Sequence, residues 1–479
     1  MTTTLTQMIF DEIRKNIVGW DQCFDTAYGR QQMIYADWVA GGRLYRPIED
    51  IMVEQVGPWV ANTHSYSNRT GSQMTAAYQD ARKHIKSHVG AKDTDILVTT
   101  GSGMTGAVHR LIQIMKLDQL DEQPVILMSH MEHHSHQVAW IAAGAEVVIV
   151  APNDQAEIDL SQWESALKNY EGCKTLIGAF TAGSNVTGIL TPVHALARLI
   201  HRYGGQCFVD YAATAPYVEM NMHPSHEEEK LDAIYFSPHK FLGGPGACGV
   251  LLMDEKLYHG VSSVPGGGNV TWTKPAGGYG ISTDPETKED GGTPAFLQTI
   301  RAALAIRLKE KMDVKRIEAR EKELLKDAIS GLQAITGVQI IGGLTAERIG
   351  VVSFNLLGIH YNAVVRMLND RFGVQVRGGW ACASTYVHYL FGIDQKQSDV
   401  MTGQIDQRNL TDKPGFVRLS LHPTMTDQEL AKVLEGVAYI ATHKETLIQD
   451  YVYDQKTNDF ALKGSEAVDQ QQVDSWFKL

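Results

Sequence analysis

The sequence has few cysteines and no long apolar run. Its 479 residues include five widely spaced cysteines that form no Cys-x-x-Cys pair, at Cys23, Cys173, Cys207, Cys248 and Cys382. This spacing argues against a disulfide-stabilised scaffold and against a structural zinc site. No window approaches the roughly 18 consecutive apolar residues that a membrane span requires. The first residues, Met1 to Gln7, lack the basic region of a secretory signal. These absences predict a cytoplasmic protein with no membrane partner.

Positive charge is also scarce. The chain has 43 lysines and arginines against 55 aspartates and glutamates, which gives a formal net charge of −12. No basic block provides the electrostatic footprint that a nucleic-acid partner needs. A small-molecule substrate is therefore the better prediction. The length suffices for one large α/β domain with a smaller partner domain.

Short apolar and β-branched runs alternate with helix-length segments through the first half of the chain. The runs that predict strands are Ile96–Thr100, Val125–Met128, Val147–Val150, Leu176–Phe180, Cys207–Asp210 and Ala233–Phe236. Buried parallel strands with crossover helices have this pattern. We expect one large, mostly parallel sheet with helices on both faces, whose ligand lies beyond the carboxyl ends of the strands.

Unusual residues follow these runs. Gly101–Ala107 is a glycine-rich turn that opens a helical pattern, and its free N–H groups favour a phosphate site over an ordinary flexible loop. Asp210 ends an apolar strand, where an acid requires a cationic partner unless it caps a following helix. Lys240 stands in the glycine-rich stretch Tyr235–Gly246. A desolvated lysine there can act as a Schiff-base nucleophile, whereas the alternative is a solvated loop lysine.

Histidines cluster in Ser129–His136, together with Glu132. This composition resembles a set of metal ligands, but it lacks the His-Glu-x-x-His spacing of a helical zinc site. An imidazole stacked on an aromatic cofactor fits better, and we predict no metal. Asn185 offers an amide at another strand end, and His64 lies in a polar loop where a surface or capping role competes with a functional one.

The second half of the chain predicts a smaller α+β unit after a helix from Val314 to Ile335. Arg418 lies within an apolar strand, where it requires an anionic partner, either a substrate carboxylate or a structural carboxylate. Arg377 precedes a glycine-containing loop that includes Cys382. Cys382 is either a reactive thiol or an inert, buried one. Residues 1–34 read as a helical segment that packs with the smaller unit. We assign 35–312 to the large domain, 313–449 to the small domain and 450–479 to a C-terminal extension.

The ordered motifs together resemble one enzyme family. They are a glycine-rich turn, Glu132-His133-His134, Ser184-Asn185-Val186-x-Gly188, Asp210, Ser237-x-His239-Lys240, Gly292-Thr293-Pro294 and Arg377-x-Gly379-x-x-Cys382. The set is similar to the class V aminotransferase family of pyridoxal 5'-phosphate (PLP) enzymes, and most of all to its cysteine desulfurase and selenocysteine lyase branch. The match runs from about Tyr35 to Leu434. It implies the α/β fold of type I PLP-dependent transferases, with a large, mostly parallel seven-stranded sheet domain and a smaller α+β domain.

The resemblance also implies roles for individual residues. Lys240 would bind the cofactor covalently, Asp210 would pair with its pyridine nitrogen and His133 would stack on its ring. The phosphate ligands would be Ser102, Gly103, Ser237 and His239, joined by Thr293 from the partner subunit of a homodimer. Asn185 would lie at the cofactor's edge. The substrate would be held by Arg418, with Arg377 and His64 as further candidates.

In this branch Cys382 takes the place of the cysteine that accepts sulfur. The implied reaction converts L-cysteine to L-alanine and leaves a persulfide on Cys382. A sulfur-acceptor protein would then take the sulfur from this persulfide. Two departures leave open an alternative, an aminotransferase, epimerase or C–S lyase that acts on another amino acid or a thioether. Ala213 stands where desulfurases usually carry Gln or His, and the loop Gly378–Ala381 lacks their histidine.

Overall fold

The computed structural model describes residues 2–101, 103–464 and 469–478, so that the predicted phosphate ligand Ser102 lies outside the described residues. The strands are β1 (Cys23–Thr26), β2 (Gly29–Gln32), β3 (Ile34–Tyr35), β4 (Ile96–Thr100), β5 (Val125–Ser129), β6 (Glu146–Val150), β7 (Leu176–Thr181), β8 (Gln206–Asp210), β9 (Ala233–Phe236), β10 (Gly249–Met253), β11 (Val270–Thr273), β12 (Tyr279–Ile281), β13 (Val338–Ile341), β14 (Val351–Leu356), β15 (Val374–Gln375), β16 (Arg377–Gly379), β17 (Phe416–Ser420), β18 (Tyr451–Asp454) and β19 (Asp459–Leu462). The α-helices are α1 (Thr2–Lys15), α2 (Arg46–Asp50), α3 (Arg69–His88), α4 (Gly103–Met115), α5 (His134–Ala142), α6 (Leu160–Asn169), α7 (Val193–Arg202), α8 (Pro285–Lys288), α9 (Phe296–Met312), α10 (Val314–Gln333), α11 (Tyr361–Phe372), α12 (Ser384–Phe391), α13 (Gln395–Asp406), α14 (Asp427–Leu447) and α15 (Gln470–Ser475).

A seven-stranded sheet organises the first half of the chain. Its strand order is β4-β10-β9-β8-β7-β5-β6. The strands from β9 to β6 pair in parallel, whereas β10 is antiparallel to both of its neighbours. All six runs that predicted strands form strands of this sheet, and the apolar run after Lys240 supplies β10. The prediction of a mostly parallel sheet is confirmed.

Both faces of this sheet are covered. Every residue of β5 and of β7 is buried, because helices pack on each side. One core cluster joins strand residues such as Leu127 and Phe180 to α3, α6, α7 and α9, and the opposite cluster joins Met128 to Leu111 on α4 and Trp140 on α5. The loops after the carboxyl ends of the parallel strands therefore meet at one edge, where ligands of this architecture bind.

The smaller unit is an antiparallel sheet with the order β13-β14-β17-β16. The helices α10, α11 and α14 cover it, and their apolar residues Leu324, Val364 and Val437 are fully buried with Phe354 of β14. The strand register places Arg377 of β16 directly opposite Arg418 of β17. The expected smaller α+β unit is confirmed, and its sheet brings two of the predicted functional arginines together.

The N-terminal segment differs from the prediction. It is helical only to Lys15, and a hairpin of β1 and β2 follows, so the prediction of a helix up to residue 34 is wrong. Gly19 and Gly29 have φ values of 79° and 99°, which a continuous helix does not allow. The segment contacts the smaller unit through pairing of β3 with β15 and through the ion pair of Arg14 with Glu429, at 2.7 Å.

The C-terminal segment forms the hairpin of β18 and β19. Tyr451 and Leu462 are buried in the core of the smaller unit, and the Asn458 side chain donates to the hydroxyl of Tyr361 on α11. The hairpin therefore extends that core. Across the described ranges, no helix combines the length and the apolar character that crossing a bilayer demands.

Candidate active site

A cavity of about 180 Å³ lies at the carboxyl ends of the parallel strands. The predicted residues that line it are His133, Asn185, Asp210, Ser237, His239 and Lys240. They come from the loops after β5, β7 and β9 and from the last residue of β8, which the parallel pairing brings to the same edge of the sheet. The side chains that follow separate strands thus share one chamber.

Lys240 and Asp210 form the charged part of this cavity. Lys240 lies on a short 3-10 turn after β9, and its amine makes no hydrogen bond or ion pair to any described residue. Burial lowers the pKa of Lys240 to about 8, although the charge of Asp210 opposes that shift. Burial raises the pKa of Asp210 to about 6. The Asp210 carboxylate accepts from the N–H of Ala212 at 2.7 Å. Turns and not a helix follow Asp210 directly in the chain, so the alternative role as a helix cap is wrong.

A tight backbone approach lies beside Lys240, where α4 begins. Gly103 has φ +57°, and a Cβ there would stand 2.7 Å from both the Ser237 hydroxyl oxygen and the His239 ring. The Ser237 hydroxyl accepts from the N–H of Met104 at 2.8 Å. The positive end of α4 and two polar side chains therefore surround a position that tolerates only glycine. This arrangement suits a phosphate group.

His133 lies on the cavity wall as the N-cap of α5. Its Nδ1 accepts from the N–H of Ser135 at 3.1 Å, so this nitrogen carries no proton. Burial, aided by the charge of Lys240, lowers the pKa of His133 to about 4. The ring is therefore neutral at physiological pH, which suits stacking on a flat aromatic ligand.

The other histidines of the cluster have separate partners. His130 lies near the carbonyl of Ala156 at 3.1 Å, His134 contacts Ser384, and His136 contacts Glu132. Among the described residues, no group of three or more His, Cys, Asp or Glu side chains is arranged to hold a metal ion. The alternative reading of this cluster as a single set of metal ligands does not fit these contacts.

The loop of Cys382 lies beside the cavity and is bonded to its rim. Ala381 and Cys382 both have left-handed backbone angles, with φ of 49° and 57°. The Asn185 amide donates to the Ala381 carbonyl at 2.6 Å, and the N–H of His134 donates to the Cys382 carbonyl at 2.7 Å. His134 Nε2 in turn accepts from the N–H of Ser384 at 2.9 Å. Cys382 itself is exposed, so the alternative of an inert buried thiol is wrong.

Arg418 reaches the same rim from the smaller unit. It is 3 % exposed, and it donates to Asp37 at 2.6 Å and to the Asn185 carbonyl at 3.1 Å. Arg377 donates to the other oxygen of Asp37 at 3.0 Å. The sequence allowed either a substrate carboxylate or a structural carboxylate as the partner of Arg418. Asp37 is the structural carboxylate. The Nε of Arg418 stays buried without a partner among the described atoms.

Residues 34–433 match the family model described as Aminotransferase class-V. The chain belongs to this family.

Relatives of the class V chain include cysteine desulfurases. It is 28% identical over 378 residues to a probable cysteine desulfurase of Halobacterium salinarum, an alignment covering 76% of this chain and 86% of the relative. A probable cysteine desulfurase of Halalkalibacterium halodurans is 28% identical over 364 residues, with coverage of 75% and 86%. The apo cysteine desulfurase structure from Thermococcus onnurineus superposes with a TM-score of 0.74 at 25% identity, covering 90% of this chain and 98% of that one. The type I fold predicted for this class V protein is confirmed.

Neither Thr293 nor His64, two further predicted residues of the class V site, lines the cavity of this chain. Thr293 is exposed and lies in a separate cleft of about 300 Å³, together with Gly101 and Arg110. His64 is exposed in the loop before α3, where its φ is 63°. Their proposed contacts with cofactor and substrate stay predictions.

Four other residues were not predicted as part of this class V site. Asp37 pairs with both Arg377 and Arg418. The sequence indicated it only as the single acidic residue in the stretch Ile34–Gly42. Glu132, His136 and Tyr235 form a buried chain behind the cavity. The spacing of Glu132 and His136, four residues apart, was visible in the sequence, but their partner Tyr235 was not.

The ion pair of Asp37 allows a first prediction. Replacing Asp37 with alanine leaves the buried Arg418 without its carboxylate, and we expect the free energy of unfolding to fall by about 3–5 kcal/mol. Replacing the half-exposed Arg377 with alanine removes the other arm of the same cluster and is expected to lower it by about 1 kcal/mol or less. Urea denaturation of both variants measures the difference. Equal losses would contradict the assignment of Asp37 as the essential partner of Arg418.

Proposed function

We propose that this protein is a PLP-dependent cysteine desulfurase that converts L-cysteine to L-alanine and takes the sulfur onto Cys382. The observation that carries the proposal is the cavity with Lys240, Asp210 and the Gly103 turn, to whose rim the Cys382 loop is hydrogen bonded. A family member with a desolvated lysine opposite a buried acid, next to an exposed thiol, has the groups that this reaction requires. The relatives named as cysteine desulfurases support the same assignment.

The residues of the cavity fit PLP. Lys240 would bind its aldehyde, Asp210 would hold its ring nitrogen and His133 would cover its ring. The Gly103 turn would hold its phosphate together with Ser237 and His239, because a Cβ at Gly103 would fill the space between these side chains. When bound, PLP supplies an electron sink that stabilises negative charge at the substrate carbon atoms.

The protein's own groups then account for the remaining chemistry. The Lys240 amine has a pKa of about 8, so it can both accept and donate a proton near physiological pH. A thiolate on Cys382 attacks the substrate sulfur, which forms the S–S bond and breaks the C–S bond. The electron pair of the broken bond passes to the substrate carbon, which takes up a proton to give the methyl group of alanine. Cys382 keeps the sulfur as a persulfide.

Substrate binding would involve Arg418 and Asn185. Arg418 already donates to Asp37 and to the Asn185 carbonyl, so a substrate carboxylate would share the guanidinium with Asp37 through the unpartnered Nε. Arg377 would hold Asp37 in place from the other side. The site would thus select amino acids by an arginine that is positioned before the substrate arrives.

Ala213 supports a second candidate, a C–S lyase, aminotransferase or epimerase for another amino acid or a thioether. Ala213 lines the cavity with a methyl group only, at the position where the resemblance to desulfurases implies Gln or His. A cavity with that wall has fewer groups to bond the cofactor and more room for a larger substrate.

An assay with L-cysteine tests the main proposal. The purified protein, supplied with PLP and a thiol reductant, is expected to release alanine and sulfide in equal amounts. Without reductant, mass spectrometry of the Cys382 peptide should show the added mass of one sulfur atom. Keto acid or pyruvate in place of alanine, from L-cysteine or from a panel of amino acids and thioethers, would instead support the second candidate.

The position of Thr293 supports a homodimer in which each subunit completes the other's phosphate site. Thr293 is exposed and lies in a cleft beside the turn that begins at Gly101, outside the cavity of its own chain. Sedimentation of the protein tests the oligomeric state. The exposure of Cys382 suits transfer of the sulfur to an acceptor protein.

The pKa of Lys240 gives a prediction for the protein without its cofactor. A lysine reacts with an aldehyde only when it is neutral, and the neutral fraction of Lys240 rises with pH up to its pKa of about 8. We expect the rate of covalent PLP capture at Lys240, trapped with borohydride, to rise to about that pH and then level off. The matched variant Lys240→Arg should show only slow capture by solvent-exposed lysines. The rate of that capture should continue to rise with pH toward the ordinary lysine pKa of 10.5. If the capture rate at Lys240 continues to rise above pH 8, as the rate at solvent-exposed lysines does, the prediction is contradicted.

A further inference from the structure

His134 is the first residue of α5, and its contacts lead away from the cavity. His133 lines the cavity, whereas His134 is not among the residues that do. The backbone N–H of His134 and its ring both contact the segment from Cys382 to Ser384. The proposed reaction assigns no role to this histidine, although it directly follows His133 in the chain and lies beside the loop of Cys382.

The ring of His134 supplies a cap that α12 lacks. The N-cap residue of α12 is Ala383, whose methyl side chain makes no capping hydrogen bond. His134 Nε2 accepts from the N–H of Ser384, the first residue of α12, at 2.9 Å, and it lies 2.6 Å from the Ser384 hydroxyl oxygen. A nitrogen that accepts from an N–H carries no proton, so the ring is neutral, and burial lowers the pKa of His134 in agreement. The imidazole therefore satisfies one of the N–H groups that a helix leaves unpaired at its start.

The turn that His134 contacts has an unfavourable backbone. Ala381 and Cys382 both lie in the left-handed region, with φ of 49° and 57°, where residues with a Cβ are disfavoured. Such a conformation persists only where the surrounding structure holds it. His134 holds the segment from Cys382 to Ser384 at both ends, because its N–H donates to the Cys382 carbonyl at 2.7 Å and its ring binds Ser384. The backbone angles of Cys382 determine where its sulfur lies, so these contacts fix the position of the thiol.

We propose that His134 is a positioning residue that holds the Cys382 thiol in place for sulfur transfer. The inference rests on the proposed desulfurase function and adds a residue to it. Without the imidazole, the first N–H of α12 loses its acceptor and the turn loses the support of the ring. The thiol then stays exposed and chemically intact, but its position relative to the cavity is no longer fixed. Sulfur transfer to Cys382 slows, while binding of the cofactor is kept.

The test compares His134→Ala with His134→Gln in the PLP-loaded protein. The glutamine side chain keeps an amide oxygen that can accept from the Ser384 N–H, so it is the conservative replacement. Gln137→Ala is the matched control, because Gln137 also joins α5 to α12 by accepting from the Thr385 hydroxyl at 2.7 Å, at a residue beyond the Cys382 turn. Three quantities are measured for each variant: the rate of alanine formation from L-cysteine, the dissociation constant of PLP, and the rate at which iodoacetamide alkylates Cys382.

For His134→Ala we expect alanine formation to fall by about 10²-fold, the scale on which a misplacement of about 1 Å slows an enzymatic reaction. The dissociation constant of PLP should keep its wild-type value, since the residues that line the cavity are unchanged. Alkylation of Cys382 should be at least as fast as in the wild type, because the thiol is exposed and the reagent approaches from solvent. His134→Gln should recover most of the alanine formation, and Gln137→Ala should leave all three quantities unchanged.

Other outcomes would overturn the inference. If alanine formation in His134→Ala falls no further than in Gln137→Ala, His134 does not position the thiol. A parallel loss of PLP affinity in His134→Ala would indicate a general disturbance of the site and would also contradict the inference. If His134→Ala does not fold, Ser384→Ala, which removes only the hydroxyl beside Nε2, must slow alanine formation without weakening PLP binding, or the inference is wrong. If the wild-type protein forms no alanine from L-cysteine, the proposed function and this inference are both wrong.

Discussion

Replacing Cys382 with serine is expected to lower alanine formation from L-cysteine by at least about 10³-fold, the scale on which loss of a nucleophile reduces turnover. A hydroxyl at that position is a much weaker nucleophile toward sulfur than a thiolate. The variant should still bind PLP with wild-type affinity, because Cys382 does not line the cavity. Alanine and sulfide release, together with a PLP titration, measure the two properties separately.

The control for this prediction is Cys23→Ser. Cys23 lies in the N-terminal hairpin and is partly exposed, so its replacement should leave both turnover and PLP affinity unchanged. Retention of wild-type alanine release by Cys382→Ser would contradict the proposed transfer of sulfur to Cys382.

Replacing Lys240 with alanine is expected to abolish covalent cofactor binding and to lower turnover by on the order of 10³-fold or more, since both a nucleophile and a proton carrier are lost. Stability should be preserved or improved. The amine of Lys240 is desolvated and makes no hydrogen bond to any described residue, so its removal leaves no partner unsatisfied. Absorbance of the bound cofactor, borohydride trapping and thermal unfolding measure these effects.

Lys309→Met, in contrast to Lys240→Ala, is expected to lower stability. Lys309 is a buried lysine, whose burial lowers its pKa to about 7, but its amine donates to the Ala215 and Val218 carbonyls. Removing it leaves two carbonyls without a donor and is expected to lower the free energy of unfolding by about 1–3 kcal/mol, with PLP still trapped at Lys240. A stability loss in Lys240→Ala that matches Lys309→Met would contradict the view of Lys240 as a free amine.

The sequence predicted those parts of the site that follow strands. Asp210, His133, Asn185 and Lys240 each stand just after an apolar run, and parallel pairing brings such positions to one edge whatever the details of packing. Their convergence on one cavity could therefore be expected from the order of the runs alone. The end of the N-terminal helix at Lys15 was missed because its local signal, Gly19, is a weak one.

Partners at long range could not be predicted in the same way. Arg418 was seen to require an anion, but Asp37 lies 381 residues earlier in the chain. His136 is separated from Tyr235 by 99 residues, and without that phenol the group with Glu132 resembled metal ligands. A local pattern reveals that a buried charge needs a partner. Only the packing of two distant elements reveals which residue it is.

The backbone of the Cys382 loop links the thiol to the contact between the two halves of the chain. Left-handed angles at Ala381 and Cys382 are disfavoured by about 1–2 kcal/mol each, and the bonds that hold them come from Asn185 and His134 of the large sheet unit. The left-handed conformation of the loop therefore depends on the contact between the two sheet units, and substitutions at that contact are expected to move the Cys382 thiol even where they lie far from it in the sequence.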